Sequence, residues 1–480
     1  MTKATAYFAE SIPTGMDDLT HTEGVKATAD ALIELTKNAT ETIDLTAMYW
    51  ALEPNPKSKD EKGWSVEKLK KEYRADRGIA LLEALDDAAA RGVKIRIIQS
   101  PGFDPDVKDE SVTLQEKHPD NIQIGNINMP DWYGSGIMHQ KVWVFDNTNV
   151  YVGSANMDWK SLTQVKEIGV VVENSETFAE EVSKYYQTWW EFVALKPNAD
   201  NTAHVFDPDY QVERMVPAWS PLLNEPKDNP LDTPANRTAF SWQHPMEIDL
   251  NGESAHIAVS GAPNDLCVGD RTHDQKMLVQ TILNAEKSVC VSVMDFAPIS
   301  LYRGTYDSNS HRYMVGDKVA TPVWWPALVS ALLHTCSTKN VHGRLLISEW
   351  AHTSGFIAPY LEALDAMAEA ARSTYQMTGG KLEIKRFQVP GWDSTGPIKD
   401  GEPAPDYPGH TRVNHTKYIV TDKHANIGTS NMTWDYFSGT AGTSVNTTHS
   451  ALVGKLQEIF DRDWKSQYAV PNKNKNKETS

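Results

Sequence analysis

Apolar positions along the chain switch between two periods, and they run through the same succession twice. In the first pass Val25, Ala29, Leu32 and Leu35 recur at helical spacing and lead into the strand-like run from Thr42 to Trp50. A second helical pattern, Ile79 to Ala90, stops at Arg91-Gly92 and releases the strand Val93 to Gln99. Short strands follow at Ile122 to Ile127, Met138 to Asp146, Tyr151 to Gly153 and Ile168 to Val172. A helix then presents Phe178, Val182, Tyr185 and Trp189 on one face. In the second pass Ser288 to Asp295, Arg344 to Ser348, Leu382 to Pro390 and Asn414 to Asp422 answer those strands in order, and a closing helix carries Leu452, Leu456, Ile459 and Phe460. Strands alternating with helices predict α/β halves, each a mostly parallel sheet flanked by helices.

The repeat is tightest where it carries chemistry. Met138-His-Gln-Lys-Val-Trp-Val-Phe-Asp146 leads to Gly153-Ser-Ala-Asn156, and Asn414-His-Thr-Lys-Tyr-Ile-Val-Thr-Asp422 leads to Gly428-Thr-Ser-Asn431. The histidines lie 276 residues apart (415 less 139) and the glycines 275 (428 less 153), so the turn between them is one residue shorter in the second copy. Each His and Lys stand two apart in an extended run, which puts both side chains on one face. A motif used once per half predicts that the halves meet by pseudo-twofold symmetry and share one site.

The repeat divides the chain into a first half at 1–195, a connector at 196–252, a second half at 253–470 and a disordered polar tail at 471–480. The connector holds eight of the 26 prolines and is expected to be irregular. Each half carries an insertion after its first strand, Leu52 to Arg77 and Ser300 to Pro326, where loops of an α/β unit surround a ligand crevice. In the second insertion Arg303, Arg312, Trp324 and Trp325 combine cations with rings, as single-stranded nucleic acid requires; a solvated rim would read the same way.

Composition narrows the field. A chain of 480 residues, 40% of them hydrophobic, is globular and has room for two to three cores. Its net charge of −18 excludes wholesale attraction to nucleic acid or anionic lipid, so any phosphate must be held by a local cluster. Three cysteines, Cys267, Cys290 and Cys336, have no metal-ligand spacing. No run approaches the ~18 apolar residues of a membrane span, and the first ten residues lack the apolar core of a secretory signal. The chain is therefore expected to be soluble and without a stable anchor. It would be cytoplasmic, or endolysosomal or secreted with its signal outside this sequence.

Two imidazoles, two ammoniums and the amides of Asn156 and Asn431 make a cradle for an anion with several oxygens, and a phosphodiester fits best. One His would attack phosphorus, and the other would protonate the leaving oxygen and then activate water. Ser154, Thr429 and Ser430 are candidate substrate contacts. No metal or other cofactor is needed, because Lys beside His makes a poor metal site. The acidic run Asp104, Asp106, Asp109 and Glu110 lacks the glycine and spacing of a calcium loop. A nucleophilic imidazole needs a carboxylate on its other nitrogen. Glu167 is the candidate and is assigned to His139, which makes His139 the expected nucleophile; the second half offers only Gly442 or Thr443 there. Asp146 and Asp422, at an odd offset from their Lys, are expected to turn away and hold backbone, with Gly153 and Gly428 as structural members of the motif.

These motifs resemble the paired signature of the phospholipase D superfamily. Gly153 to Gly169, Arg412 to Tyr418, Thr440 to Ser444, Glu10 to Pro13 and Pro245 to Ile248 are similar to the animal endolysosomal branch, whose members are described as 5'-exonucleases on single-stranded DNA and RNA. The resemblance runs from about Glu10 to the closing helix. It implies two duplicated phospholipase D-like halves around one active site and a metal-independent phosphodiesterase acting through a phosphohistidine, here a 5'-3' exonuclease. A phospholipase D or transphosphatidylase on glycerophospholipids remains the alternative, and a catalytically silent binding protein the alternative of another class.

Overall fold

The computed structural model describes residues 3–102, 108–307, 310, 312–315, 318–375 and 380–472. Asp104 and Asp106 and the tail from 473 lie outside the described residues. The first half contributes β1 (Thr5–Ser11), α1 (Thr28–Asn38), β2 (Thr42–Ala47), α2 (Asp76–Ala90), β3 (Lys94–Gln99), β4 (Ile122–Asn126), β5 (Val142–Phe145), β6 (Asn149–Gly153), β7 (Glu167–Glu173) and α3 (Glu176–Ala194). The second contributes β8 (Glu253–Ala262), α4 (Asp274–Leu283), β9 (Ser288–Val293), α5 (Ala327–Thr338), β10 (His342–Ser348), α6 (Ile357–Tyr375), β11 (Lys381–Phe387), β12 (Lys417–Thr421), β13 (Ala425–Gly428), β14 (Gly442–Thr447) and α7 (Ser450–Lys465).

The sheets have the same order. The first runs β1-β7-β6-β5-β2-β3-β4 and the second β8-β14-β13-β12-β9-β10-β11, each with short extra strands at its edges. The expected mostly parallel sheet is corrected here: only β2-β3-β4 and β9-β10-β11 run parallel, and the pairs from β1 to β2 across β7, β6 and β5 are antiparallel, as are their counterparts. The cause is local. A turn of three residues between β5 and β6 leaves no room for a crossover helix, so the motif strand must fold back as a hairpin. The connector also has more order than expected, with a hairpin of Thr202–Asp207 against Val212–Pro217 and an edge strand, Met246–Leu250, that joins the second sheet.

Both faces of each sheet are covered, which is why the motif strands read as unbroken apolar runs. On β5, Val142 and Val144 face the central core while Trp143 and Phe145 face α1 and α2. The central core is common to both halves. Phe178, Val182 and Trp189 of α3 and Leu452, Leu456 and Phe460 of α7 lie in it together. Helices α4, α5 and α6 cover the far face of the second sheet. The layers are helix, sheet, shared helices, sheet, helix, and the two sheets meet where β6 and β7 approach β13 and β14. No described helix is long and apolar enough to cross a membrane.

Candidate active site

His139 and His415 each sit just before the first strand of their hairpin, where the halves are stitched together by backbone. Ala441 donates to Ile137 O at 2.9 Å and His139 N–H to Ala441 O at 3.2 Å; Lys166 donates to Val413 O at 2.9 Å and His415 N–H to Lys166 O at 2.8 Å. Each histidine is thus held by the segment leading into the last sheet strand of the other half. Their ring centroids lie 6.3 Å apart, and both rings line a cavity of about 450 Å³ together with Asn156 and Glu167.

Lys141 and Lys417 stand with the histidines, outside the cavity's lining. Each Nζ donates to the carbonyl of its own histidine at 2.8 Å, and both side chains are buried. Burial, and then the charge of Lys417, hold Lys141 well below its ordinary value; burial pulls Lys417 down to about 7 against Glu167 and Asp295. Burial and the two ammoniums likewise hold both imidazoles well below theirs. The site is built for negative charge. Among the described residues no cluster of His, Cys, Asp or Glu gathers to hold a metal ion.

The assignment of Glu167 to His139 is overturned. Glu167 Oε1 and Oε2 accept from Nδ1 of His415 at 2.9 and 2.8 Å, across the interface, while among the described residues His139 has no such carboxylate and only the Thr429 backbone beside it. The reason is topological: Glu167 opens β7 directly after the segment that pairs with Val413 and His415, so its side chain reaches the other half's histidine. Burial pushes its carboxyl up to about 8, opposed by Lys417. In the second half Gly442 occupies the matching position, where a Cβ would lie 2.3 Å from Ser430 Oγ. His139 instead meets the edge of Tyr436, with centroids 5.0 Å apart and planes at 78°.

The amides also part company. Asn156 lines the cavity, but the Asn431 amide N–H groups are given to Asp295 Oδ2 at 3.2 Å and Tyr436 Oη at 3.0 Å, so the symmetric two-amide cradle is corrected to one. Ser154 Oγ exchanges hydrogen bonds with the Ile168 backbone, Thr429 Oγ accepts from Thr443 N–H, and Ser430 Oγ has no partner. Asp146 takes the backbone N–H groups of Thr40, Glu41 and Thr42 at 2.8 to 2.9 Å. Asp422 takes those of Glu286, Lys287 and Ser288 at 2.9 to 3.2 Å. Gly153 and Gly428 sit where a Cβ would collide with β7 and β14, at Gly169 and Ser444.

The loop candidates divide. Trp324 and Arg312 are exposed, whereas Trp325 is buried, stacked on Phe437 with its indole N–H on Gln275, and is no substrate contact. Arg303 spends its guanidinium on the carbonyls of Thr321 and Glu213. Tyr302, from the aromatic second insertion, lines the cavity; sequence reasoning missed Tyr49, Trp350, His410 and Tyr436, which line it too. Tyr49 and Trp350 follow directly on strands β2 and β10, and strand ends of an α/β unit are where such residues could have been sought.

Residues 32–190 match the model described as "Cardiolipin synthase, PLD-like domain" and 233–391 the one described as "PLD3/4, PLD-like domain". The 5'-3' exonuclease PLD3 of Rattus norvegicus is 32% identical over 97% of this chain and 80% of its own. The chain belongs to the phospholipase D superfamily. Within it the chain falls in the PLD3-like branch, and like the superfamily it is a phosphodiesterase. Phospholipase D Z of Dictyostelium discoideum is 30% identical over 96% of this chain and 90% of its own, and the virion nicking-joining enzyme of vaccinia virus 29% over 97% and 88%. The crystal structure of phosphatidylserine synthase from Haemophilus influenzae shares the fold, with a TM-score of 0.51 at 12% identity over 92% of this chain and 84% of that one.

Proposed function

We propose that this phosphodiesterase is a 5'-3' exonuclease on single-stranded DNA or RNA that works without a metal, through a phosphohistidine. The reading is carried by two imidazoles 6.3 Å apart over two buried lysines, only one of them backed by a carboxylate. Nε2 of His415 attacks phosphorus while Glu167 holds Nδ1–H and offsets the positive charge that the phosphorylated ring acquires. The bond from phosphorus to the leaving oxygen breaks, and His139 gives that oxygen its proton. A diester anion between Lys141 and Lys417 relieves the field that otherwise keeps His139 unprotonated. His139 then takes a proton from water, whose oxygen attacks phosphorus and expels His415. Asn156 steadies a non-bridging oxygen.

The rat relative's name supports the exonuclease, and the Dictyostelium relative's name supports a phospholipase D as the second reading. Incubation with end-labelled single-stranded oligonucleotide, and separately with phosphatidylcholine plus ethanol, decides between them. Stepwise loss of the oligonucleotide from its 5' end in the presence of chelator is expected; phosphatidylethanol with intact oligonucleotide overturns the nuclease.

A further inference from the structure

A second cavity, of about 490 Å³, opens beside the histidines, and the two share Met48, Tyr49 and His410. At this junction three rings meet. His352 lies parallel to His410, with centroids 4.4 Å apart and planes at 14°, and Trp350 stands edge-on to both at 4.7 and 6.0 Å. Trp350 lines the histidine cavity, and its indole N–H is buried without a partner among the described residues. The rings come from separate segments: Trp350 and His352 from the loop after β10, His410 from the approach to the second motif.

His410 is held with some force. Its φ of +55° is one that non-glycine residues seldom adopt. Asp60, from the first half's insertion, takes His410 Nδ1 at 2.9 Å on its carboxylate and the Gly409 N–H at 2.9 Å on its carbonyl. Backbone strain of this kind persists where surrounding contacts impose it, and it gathers at binding sites.

The second cavity is a poor place for a phosphate. Glu53, Asp60, Glu61, Asp109 and Glu110 outnumber Lys59, Lys108 and Lys160 in its lining; Lys108 pairs with Glu116, and the ammonium of Lys160 is surrounded by Asp60, Glu61 and Asp158 at 3.6 to 3.7 Å. Flat rings at the mouth and carboxylate acceptors behind them suit a nucleobase, with its π-face and its exocyclic amines.

We propose that Trp350, His352 and His410 form a stacking platform for a nucleobase flanking the cleaved phosphate, which places the phosphate in the first cavity and turns the base toward the second. This rests on the reading of the site as acting on single-stranded nucleic acid. The test is a cycle between platform and base. Oligonucleotides carrying an abasic residue at each of the three positions around the cleaved bond are compared with the intact strand, using wild type, Trp350→Ala and His352→Ala; His352 is exposed, so its variant should keep the fold. Wild type should lose about 10-fold or more in kcat/KM at one abasic position. The variants should lose a similar factor on the intact strand and no further factor on the abasic one. Equal losses for the variants on both substrates, or no position at which wild type senses the base, overturn the platform while leaving the exonuclease standing. Failure of wild type to cleave any oligonucleotide removes both.

Discussion

The two copies of the motif are matched in backbone and mismatched in electrostatics. Each histidine is hydrogen-bonded by the other half's main chain, and each lysine caps its own histidine's carbonyl at the same 2.8 Å. At the same step beyond the motif glycine, however, the first half has Glu167 and the second Gly442. The difference shows that duplication supplied two equivalent imidazoles and that one buried carboxyl then made them unequal, with the carboxyl acting on the copy it does not belong to.

The comparison breaks most sharply at the histidines. His139→Ala and His415→Ala should each lower kcat by about 10³-fold or more. Quenching the reaction early should map the phosphoryl label to His415; label on His139 would reverse the roles.

Next comes the carboxyl. Glu167→Gln keeps size and burial but cannot ionise to offset a charged His415, and kcat should fall by about 10²-fold. The same variant reports on stability. Folding raises the Glu167 carboxyl from 4.5 to about 8, so between those values the folded chain holds a proton that the unfolded chain has released. The wild type loses that contribution as pH rises through the window. Gln mimics the protonated form, so urea midpoints at pH 5, 6.5 and 8 should move increasingly in favour of Glu167→Gln. A constant difference across that range would place the carboxyl's ionisation elsewhere. Symmetry cannot be restored by Gly442→Glu, because its Cβ meets Ser430; that variant should be destabilised by about 1–3 kcal/mol without gaining activity.

The lysines should separate function from stability. Lys141→Met removes a buried cation whose foremost charged neighbour is another cation, Lys417, and it should raise stability by about 1–3 kcal/mol while turnover is lost. Orthovanadate or inorganic phosphate should raise the melting temperature of wild type and not of the variant.

The smallest effect, and the most symmetric, is expected at the aspartates. Asp146→Ala and Asp422→Ala each release three backbone N–H groups at the start of β2 and β9, so each should cost about 1–2 kcal/mol in urea titration and leave kcat within about twofold. A large kcat loss at one of them alone would reveal an asymmetry in the clamps that their hydrogen bonds do not contain.

Much of the fold was legible because it is local. Val142 to Phe145 and Lys417 to Thr421 alternate between two buried faces, and α3 and α7 show helical spacing of Phe178, Val182 and Trp189, and of Leu452, Leu456 and Phe460. Hairpin against crossover was misread at β5 and β6, since periodicity identifies a strand without giving its direction. Trp325 was misjudged for a related reason: two adjacent tryptophans in a loop look alike until one of them packs on Phe437.

By itself the sequence determined the duplication, the strands that carry His139, Lys141, His415 and Lys417, and the phosphoryl chemistry those residue types can perform. Each of these is a property of neighbours along the chain, or of a pattern repeated within it. Only the tertiary structure decided which histidine Glu167 serves, that Asn156 faces the cavity while Asn431 is tied to Asp295 and Tyr436, and that Trp350, His352 and His410 come together at its mouth. The first pairing joins residues 248 positions apart across the interface between the halves, the others join separate segments of the second half, and spacing along the chain carries no information about which neighbour a side chain will reach.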